Sequence, residues 1–143
     1  IAQDIRPTLL DTLDLRCALE TYSREFGLRA DLPVVFEADQ NIPQVSDVHA
    51  ITLYRILQET LTNALKHSQA SRVWVELTVD ERAIILTVQD NGVGFSDPGA
   101  SARTGIGINN LRERMALVGG ELRIYSAAEK GTIISAILPL EEA

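Results

Sequence analysis

Two neighbouring stretches of alternation constrain any fold this chain can adopt. Val73, Val75, Leu77 and Val79 alternate with Trp74, Glu76 and Thr78, and Ile84, Leu86 and Val88 repeat the pattern after Asp80-Glu81-Arg82. Side chains two residues apart share a face of a strand, so each stretch is a strand with one apolar face, and the short polar connection makes the pair a hairpin. The second strand runs into Asp90-Asn91-Gly92-Val93-Gly94. Asp-Asn-Gly is a favoured hairpin turn, yet no strand pattern returns at once. A loop of small and polar residues from Phe95 to Thr104, with Pro98 and Gly99, comes first. Gly105-Ile106-Gly107 then sits just before a helix with Ile108, Leu111, Met115 and Val118 on one face, closed by Gly119-Gly120.

The remaining elements follow from periodicity. Leu15, Ala18, Leu19, Tyr22 and Phe26 have helical spacing, with Gly27 as the expected stop. Pro33 to Ala38 reads as a short strand. Ser46 or Asp47 caps a second helix, whose apolar stripe is Val48, Ile51, Tyr54, Leu57, Leu61, Ala64 and Leu65. Leu122 to Ser126 and Thr132 to Leu138 are two further strands. The order helix, strand, helix, two strands, helix, two strands predicts an α+β fold, a two-layer α/β sandwich rather than a doubly wound sheet.

Composition narrows the functional classes. The 143 residues suffice for one domain with a sizeable core. Aromatics are 5% against 45% hydrophobic overall, so the core is expected to be aliphatic. A net charge of −7 has the wrong sign for a protein that displaces phosphate counterions, so no nucleic-acid partner is expected. Cys17 is the one cysteine, which precludes an intrachain disulfide and fits a reducing compartment. No apolar run reaches the length of a membrane helix and no signal-peptide pattern is present. The chain opens at Ile1, which reads as a piece of a longer protein, and Arg6-Pro7 interrupts any helix in residues 1–11.

Several residues in this frame carry chemistry. Asp90 ends an apolar strand, where a poorly solvated carboxylate can accept a hydrogen bond from an exocyclic amine such as that of adenine; the plainer alternative is a turn. Gly105 and Gly107 let backbone N–H groups approach phosphate oxygens near a helix N-terminus, or simply make a flexible helix entry. Glu59 and Asn63, four apart, share a helix face offset from Leu57 and Leu61, and Lys66 and His67 continue it. An amide oxygen suits a hard cation and a nearby carboxylate can take a proton, whereas a solvated helix face is the ordinary meaning of such a pair. His49 is assigned a role toward a helix dipole, and Thr132 after Gly131 would by itself be only a β-branched strand residue.

Together these residues resemble the ATP-binding domain of two-component sensor histidine kinases, of the Bergerat-fold ATPase superfamily. Glu59-Thr-Leu-Thr-Asn63-Ala-Leu-Lys-His67 resembles the N box and Asp90-Asn-Gly-Val-Gly94-Phe the G1 box. Gly105-Ile-Gly-Ile108 followed by Asn110-Leu-Arg-Glu-Arg114 resembles the G2 box, and Gly131-Thr132 the closing strand. The resemblance covers roughly residues 9 to 140. The Leu-Arg-Glu-Arg helix, the short lid and the Asn-Ala-Leu-Lys-His ending resemble the subfamily paired with NarL-type response regulators.

The resemblance implies a mixed, mostly antiparallel sheet covered on one face by three helices. It implies residues 1–14 as a linker from dimerisation helices and 15–143 as the catalytic domain. Asp90 would bind the adenine amine, with Thr132 assisting through water. Asn63 would hold Mg²⁺, and Glu59 would position or deprotonate an attacking histidine. Lys66 and His67 would face phosphates, and Gly92, Gly94, Gly105 and Gly107 would shape a lid. The implied activity is that of an ATP-dependent protein histidine kinase, cytoplasmic whether or not its homodimeric parent is anchored in a membrane. Its partners would be ATP, a histidine-bearing dimerisation domain and a NarL-type response regulator. The aromatic F box of longer-lidded kinases is not evident, and neither His49 nor His67 lies in an acceptor motif. Two other readings are an anti-sigma-factor serine kinase on the same fold, which the linker-like start opposes, and a nucleotide-gated binding module, for which Glu59 has little use.

Overall fold

A computed structural model describes residues 14–67, 69–93, 102–126 and 131–140, with the backbone alone described at residue 67 and over 102–108. The elements are α1 (Leu15–Ala30), β1 (Val34–Ala38), α2 (Asp47–His67), β2 (Val73–Val79), β3 (Ala83–Asp90), α3 (Ala102–Leu117), β4 (Glu121–Ser126) and β5 (Thr132–Pro139). The strands form one sheet in the order β1-β2-β3-β5-β4, with β1 parallel to β2 and the other pairs antiparallel. The three helices and the mixed, mostly antiparallel sheet are those expected.

Strand alternation sorts side chains onto the two faces. Facing the helices are Val73, Val75 and Leu77 of β2, Ile84, Leu86 and Val88 of β3, and Ile134, Ala136 and Leu138 of β5, all buried. They meet Leu19 of α1, Leu53, Leu57 and Leu61 of α2, and Leu111 and Met115 of α3 in one aliphatic cluster. The opposite face carries Val35, Trp74, Gln89, Ile133 and Tyr125 in one register row, and Glu37, Glu76, Thr87, Ser135 and Arg123 in the next. Asp80 fixes the β2–β3 turn, its carboxylate accepting from the N–H groups of Arg82 and Ala83 at 2.7 and 2.8 Å.

The helix ends correct three expectations. Gly27 does not stop α1, which runs to Ala30 and is capped by Asp31 in the left-handed region (φ 54°). Gly27 instead lets the chain return close by: a Cβ there would lie 2.9 Å from the Leu32 carbonyl, which Gly27 cannot crowd. In α2 the stripe is displaced. Val48 and Leu65 are exposed, while Ala50, Leu53, Ile56 and Thr60 are buried beside Tyr54, Leu57, Leu61 and Ala64. A helix that packs on the sheet and also on a neighbouring helix at each side buries more than one narrow stripe. Ser46 is the N-cap, accepting from the His49 N–H at 3.2 Å. His49 therefore stands in the first turn, where the dipole disfavours a cation, contrary to the role expected for it. Gly119 (φ 77°) closes α3 as expected, with the Gly120 N–H bonded to the Met115 carbonyl at 2.8 Å.

Two stability predictions follow from α1. Ser23 is fully buried and its Oγ has no hydrogen-bond partner. Ser23→Ala removes a desolvated hydroxyl and improves helix propensity, so it should stabilise the domain by about 1 kcal/mol, read as a higher urea midpoint at unchanged slope. Asp14 caps α1, accepting from the Cys17 N–H at 2.8 Å, and this bond, with a lesser contribution from the Cys17 side chain, holds its carboxyl below the ordinary 3.8. A depressed folded value stabilises above the unfolded value and is lost as pH falls through the folded one. Asp14→Ala should cost about 1 kcal/mol at neutral pH, and the gap from wild type should close as urea titrations are carried below pH 3.8.

Candidate functional site

The register of the sheet assembles the site. On the helix-facing side the terminal row reads Val34, Val73, Asp90, Thr132, with Ser126 opposite Thr132. This row begins apolar and ends in three polar side chains under the helical layer. Asp90 and Thr132 are both buried. The Asp90 carboxylate accepts from the Gly92 N–H at 2.9 Å, which folds the turn back on the strand end. Thr132 Oγ1 and Ser126 Oγ lie 2.9 Å apart, and Ser126 Oγ donates to the Gly131 carbonyl at 3.2 Å.

Gly131 sets how closely β5 approaches this corner. It has φ 82°, and a Cβ on it would run into the Asp90 carbonyl oxygen and lie 3.2 Å from the Asn91 Cα. Only glycine offers both the conformation and the space. The carboxylate of Asp90 and the hydroxyl of Thr132 are thus presented side by side.

Helix α2 reaches the same end of the sheet. It packs on β3 and β5, and only residues 68–72 separate His67 from Val73, the register partner of Asp90. Glu59 and Asn63, one turn apart, are half-buried, and Lys66 in the last turn is exposed. The Asn63 Nδ2 is buried without a hydrogen-bond partner. The orphan atom is the amide nitrogen, a donor that awaits an acceptor, and the oxygen on the same amide is the ligand type a hard divalent cation takes. Asn63 is thus chemically compatible with Mg²⁺, and the half-buried Glu59 lies one turn earlier on the same helix.

The structure brings Asp90, Gly92 and Thr132 together at one corner and places Glu59, Asn63 and Lys66 on the helix that ends beside it. His67 is the last residue of α2. Gly94 lies outside the described residues, as does most of the expected Phe95–Thr104 loop. Gly105 and Gly107 do not precede the third helix: α3 begins at Ala102 and contains both. Glycine costs about 1 kcal/mol in a helix, which propagation of an already formed helix can absorb. Two polar residues at this corner are not singled out by the sequence. Ser126 stands there only as a strand end, although it pairs opposite Thr132. Asn91 stands there only within the Asp90–Gly94 turn and its G1-box resemblance.

The family model for histidine kinase-, DNA gyrase B- and HSP90-like ATPases matches residues 48–142, and the chain belongs to that family. It is 36% identical over 141 residues to the sensor histidine kinase MctS of Rhizobium johnstonii, covering 97% of this chain and 30% of that protein. It is 32% identical over 142 residues to the oxygen sensor histidine kinase NreB of Staphylococcus carnosus, covering 99% of this chain and 41% of that protein. The chain thus spans well under half the length of these relatives. The fold is also that of the histidine kinase domain of the blue-light activated kinase of Erythrobacter litoralis EL346, with a TM-score of 0.71 at 24% identity over 90% of this chain and 62% of that one.

Two left-handed glycines among the described residues, Gly119 and Gly131, give a graded test of the corner. Gly119 has open space where its Cβ would be, whereas Gly131 meets backbone. Gly119→Ala should cost about 1 kcal/mol and Gly131→Ala about 2 kcal/mol or more, compared by thermal or urea unfolding.

Proposed function

We propose that this domain binds Mg-ATP at the Asp90–Thr132 corner and transfers the γ-phosphoryl group to a histidine on a separate dimerisation domain of its parent. The observation that supports it most is the terminal row of the sheet, where a buried carboxylate and a buried hydroxyl close an otherwise apolar face. Asp90 accepts from the adenine exocyclic amine, with Thr132 reaching the ring through water. This selects adenine over guanine, which carries a carbonyl at that place. Asn63 would hold Mg²⁺ through its amide oxygen, and the ion would supply charge neutralisation on the phosphates. Lys66 and His67, at the end of α2, face the phosphates, while Gly92, Gly94, Gly105 and Gly107 shape the backbone around them.

In the transfer, an imidazole nitrogen of the incoming histidine forms a bond to the γ-phosphorus as the bond to the β–γ bridging oxygen breaks, and ADP leaves. Glu59 orients that imidazole and takes its proton. The protein's work is positioning and charge neutralisation, which suits this inventory of amides, cations and one metal ligand. Residues 1–14 serve as the link from the dimerisation helices, the parent is a homodimer with this domain in the cytoplasm, and a NarL-type response regulator receives the phosphoryl group. The names of MctS and NreB support the kinase reading.

Three substitutions separate the roles when the chain is supplied with the parent's dimerisation domain. Asp90→Asn should weaken ATP binding by about 30-fold or more in calorimetry, the cost of breaking a buried charge-assisted hydrogen bond. Glu59→Ala should leave ATP affinity intact and slow transfer by about 10²–10⁴-fold. Asn63→Ala should damage both together. Equal ATP affinity in wild type and Asp90→Asn would remove the adenine assignment. Wild-type binding without any transfer would favour a nucleotide-gated module.

A further inference from the structure

We propose that Asn91 is a positioning residue that ties the phosphate end of the site to the adenine end. Its side chain uses both of its polar atoms on one segment. Oδ1 accepts from the N–H groups of Ser71 and Arg72 at 2.9 and 3.0 Å, and Nδ2 donates to Ser71 Oγ at 2.8 Å. Its own backbone N–H points to the Arg72 carbonyl at 3.4 Å. These bonds lie just beyond the last rung of the β2–β3 ladder, the pair Val73–Asp90, so ordinary strand pairing does not supply them. The segment they grip is the connection from α2 to β2, which carries the end of the helix bearing Asn63 and Lys66.

That connection needs holding. Gln69 sits in the left-handed region at φ 56°, a conformation that costs a non-glycine residue free energy and persists only where the surroundings impose it. The adenine corner, in contrast, is fixed without the Asn91 side chain. Asp90 is held by its rung with Thr132, by the Gly92 N–H on its carboxylate and by the close approach of Gly131. Asn91 is therefore the joint between a corner fixed by other bonds and the strained connection that leaves α2. Resting on the Mg-ATP site proposed above, this assigns Asn91 to the placement of the phosphate-facing groups and not to adenine recognition.

The test compares adenosine with Mg-ATP by calorimetry on the same variants. Asn91→Ala should leave adenosine affinity within about twofold of wild type and weaken Mg-ATP about 10-fold, since only part of the lost tethering is felt at the phosphates. Asn91→Asp keeps both amide bonds and can accept from the Ser71 hydroxyl, so it should restore the wild-type ratio of the two affinities. Ser71→Gly, a milder cut at an exposed position, should move the ratio in the same direction as Asn91→Ala by about threefold. A merely structural role would lower the melting temperature without changing that ratio. Equal weakening of adenosine and Mg-ATP, or no change in either, overturns the proposal. A wild-type chain that binds adenosine and Mg-ATP equally overturns it together with the phosphate-site assignment, whereas a normal wild-type preference with unmoved variants overturns it alone.

Discussion

The absence of a side chain at residue 131 is the constraint on which the site depends. The β3–β5 ladder is paired from Ala83–Pro139 to Asp90–Thr132 without interruption. At its last rung the backbone of Gly131 presses onto the Asp90 carbonyl. Any Cβ would push β5 away at the rung that sets Asp90 beside Thr132. The same ladder carries the middle of the core, because Leu86 pairs with Ala136 and Val88 with Ile134 under α2. Core and corner are therefore two ends of one element, and strain introduced at one is transmitted along paired strands packed too densely to absorb it.

How much of this was legible depended on the range of the interaction concerned. The β2–β3 hairpin, the aliphatic core and the glycine closure of α3 were read from the sequence, because period-2 alternation and a left-handed C-terminal glycine are local properties. Asp90 and Gly92 are neighbours in the chain, whereas Thr132 joins them through the β3–β5 register, and only the family resemblance pointed to that meeting. The errors fall where a neighbour decides. Gly27 resembles a helix stop but serves the return of Leu32 past the helix. Val48 and Leu65 have the right spacing in α2 yet are exposed, while Thr60 is buried with its hydroxyl bonded to the Ile56 and Leu57 carbonyls at 2.8 and 3.1 Å. The early start of α3 went unseen because glycine disfavours but does not forbid a helix. Asn91 bonds to a segment far along the chain, Ser71 being 20 residues away, and Ser126 meets Thr132 only through the β4–β5 register, so no local pattern reports either pairing.

The charge balance adds a further condition. A chain of net charge −7 presents no long-range attraction to a polyanion. Affinity for a nucleotide here must arise from short-range groups at the corner, so hydrogen-bond geometry matters more than the overall field. The supports of that geometry are backbone and amide groups: the Gly92 N–H on Asp90, the Ser71 and Arg72 N–H groups on Asn91, and the pairing of Ser126 with Thr132. None is a salt bridge, so ionic strength should leave this framework intact.

Trp74, the single tryptophan, illustrates what a two-layer fold does to a spectroscopic signal. It pairs with Gln89, one residue before Asp90, yet alternation turns its indole onto the face of the sheet opposite the helices. The ring is about one-third exposed beside Val35 and Glu76. Its emission therefore reports whether strands β1 to β3 are assembled, and the thickness of the sheet insulates it from events at the corner. The chain carries a native optical gauge of its own folding that is blind to what the other face holds.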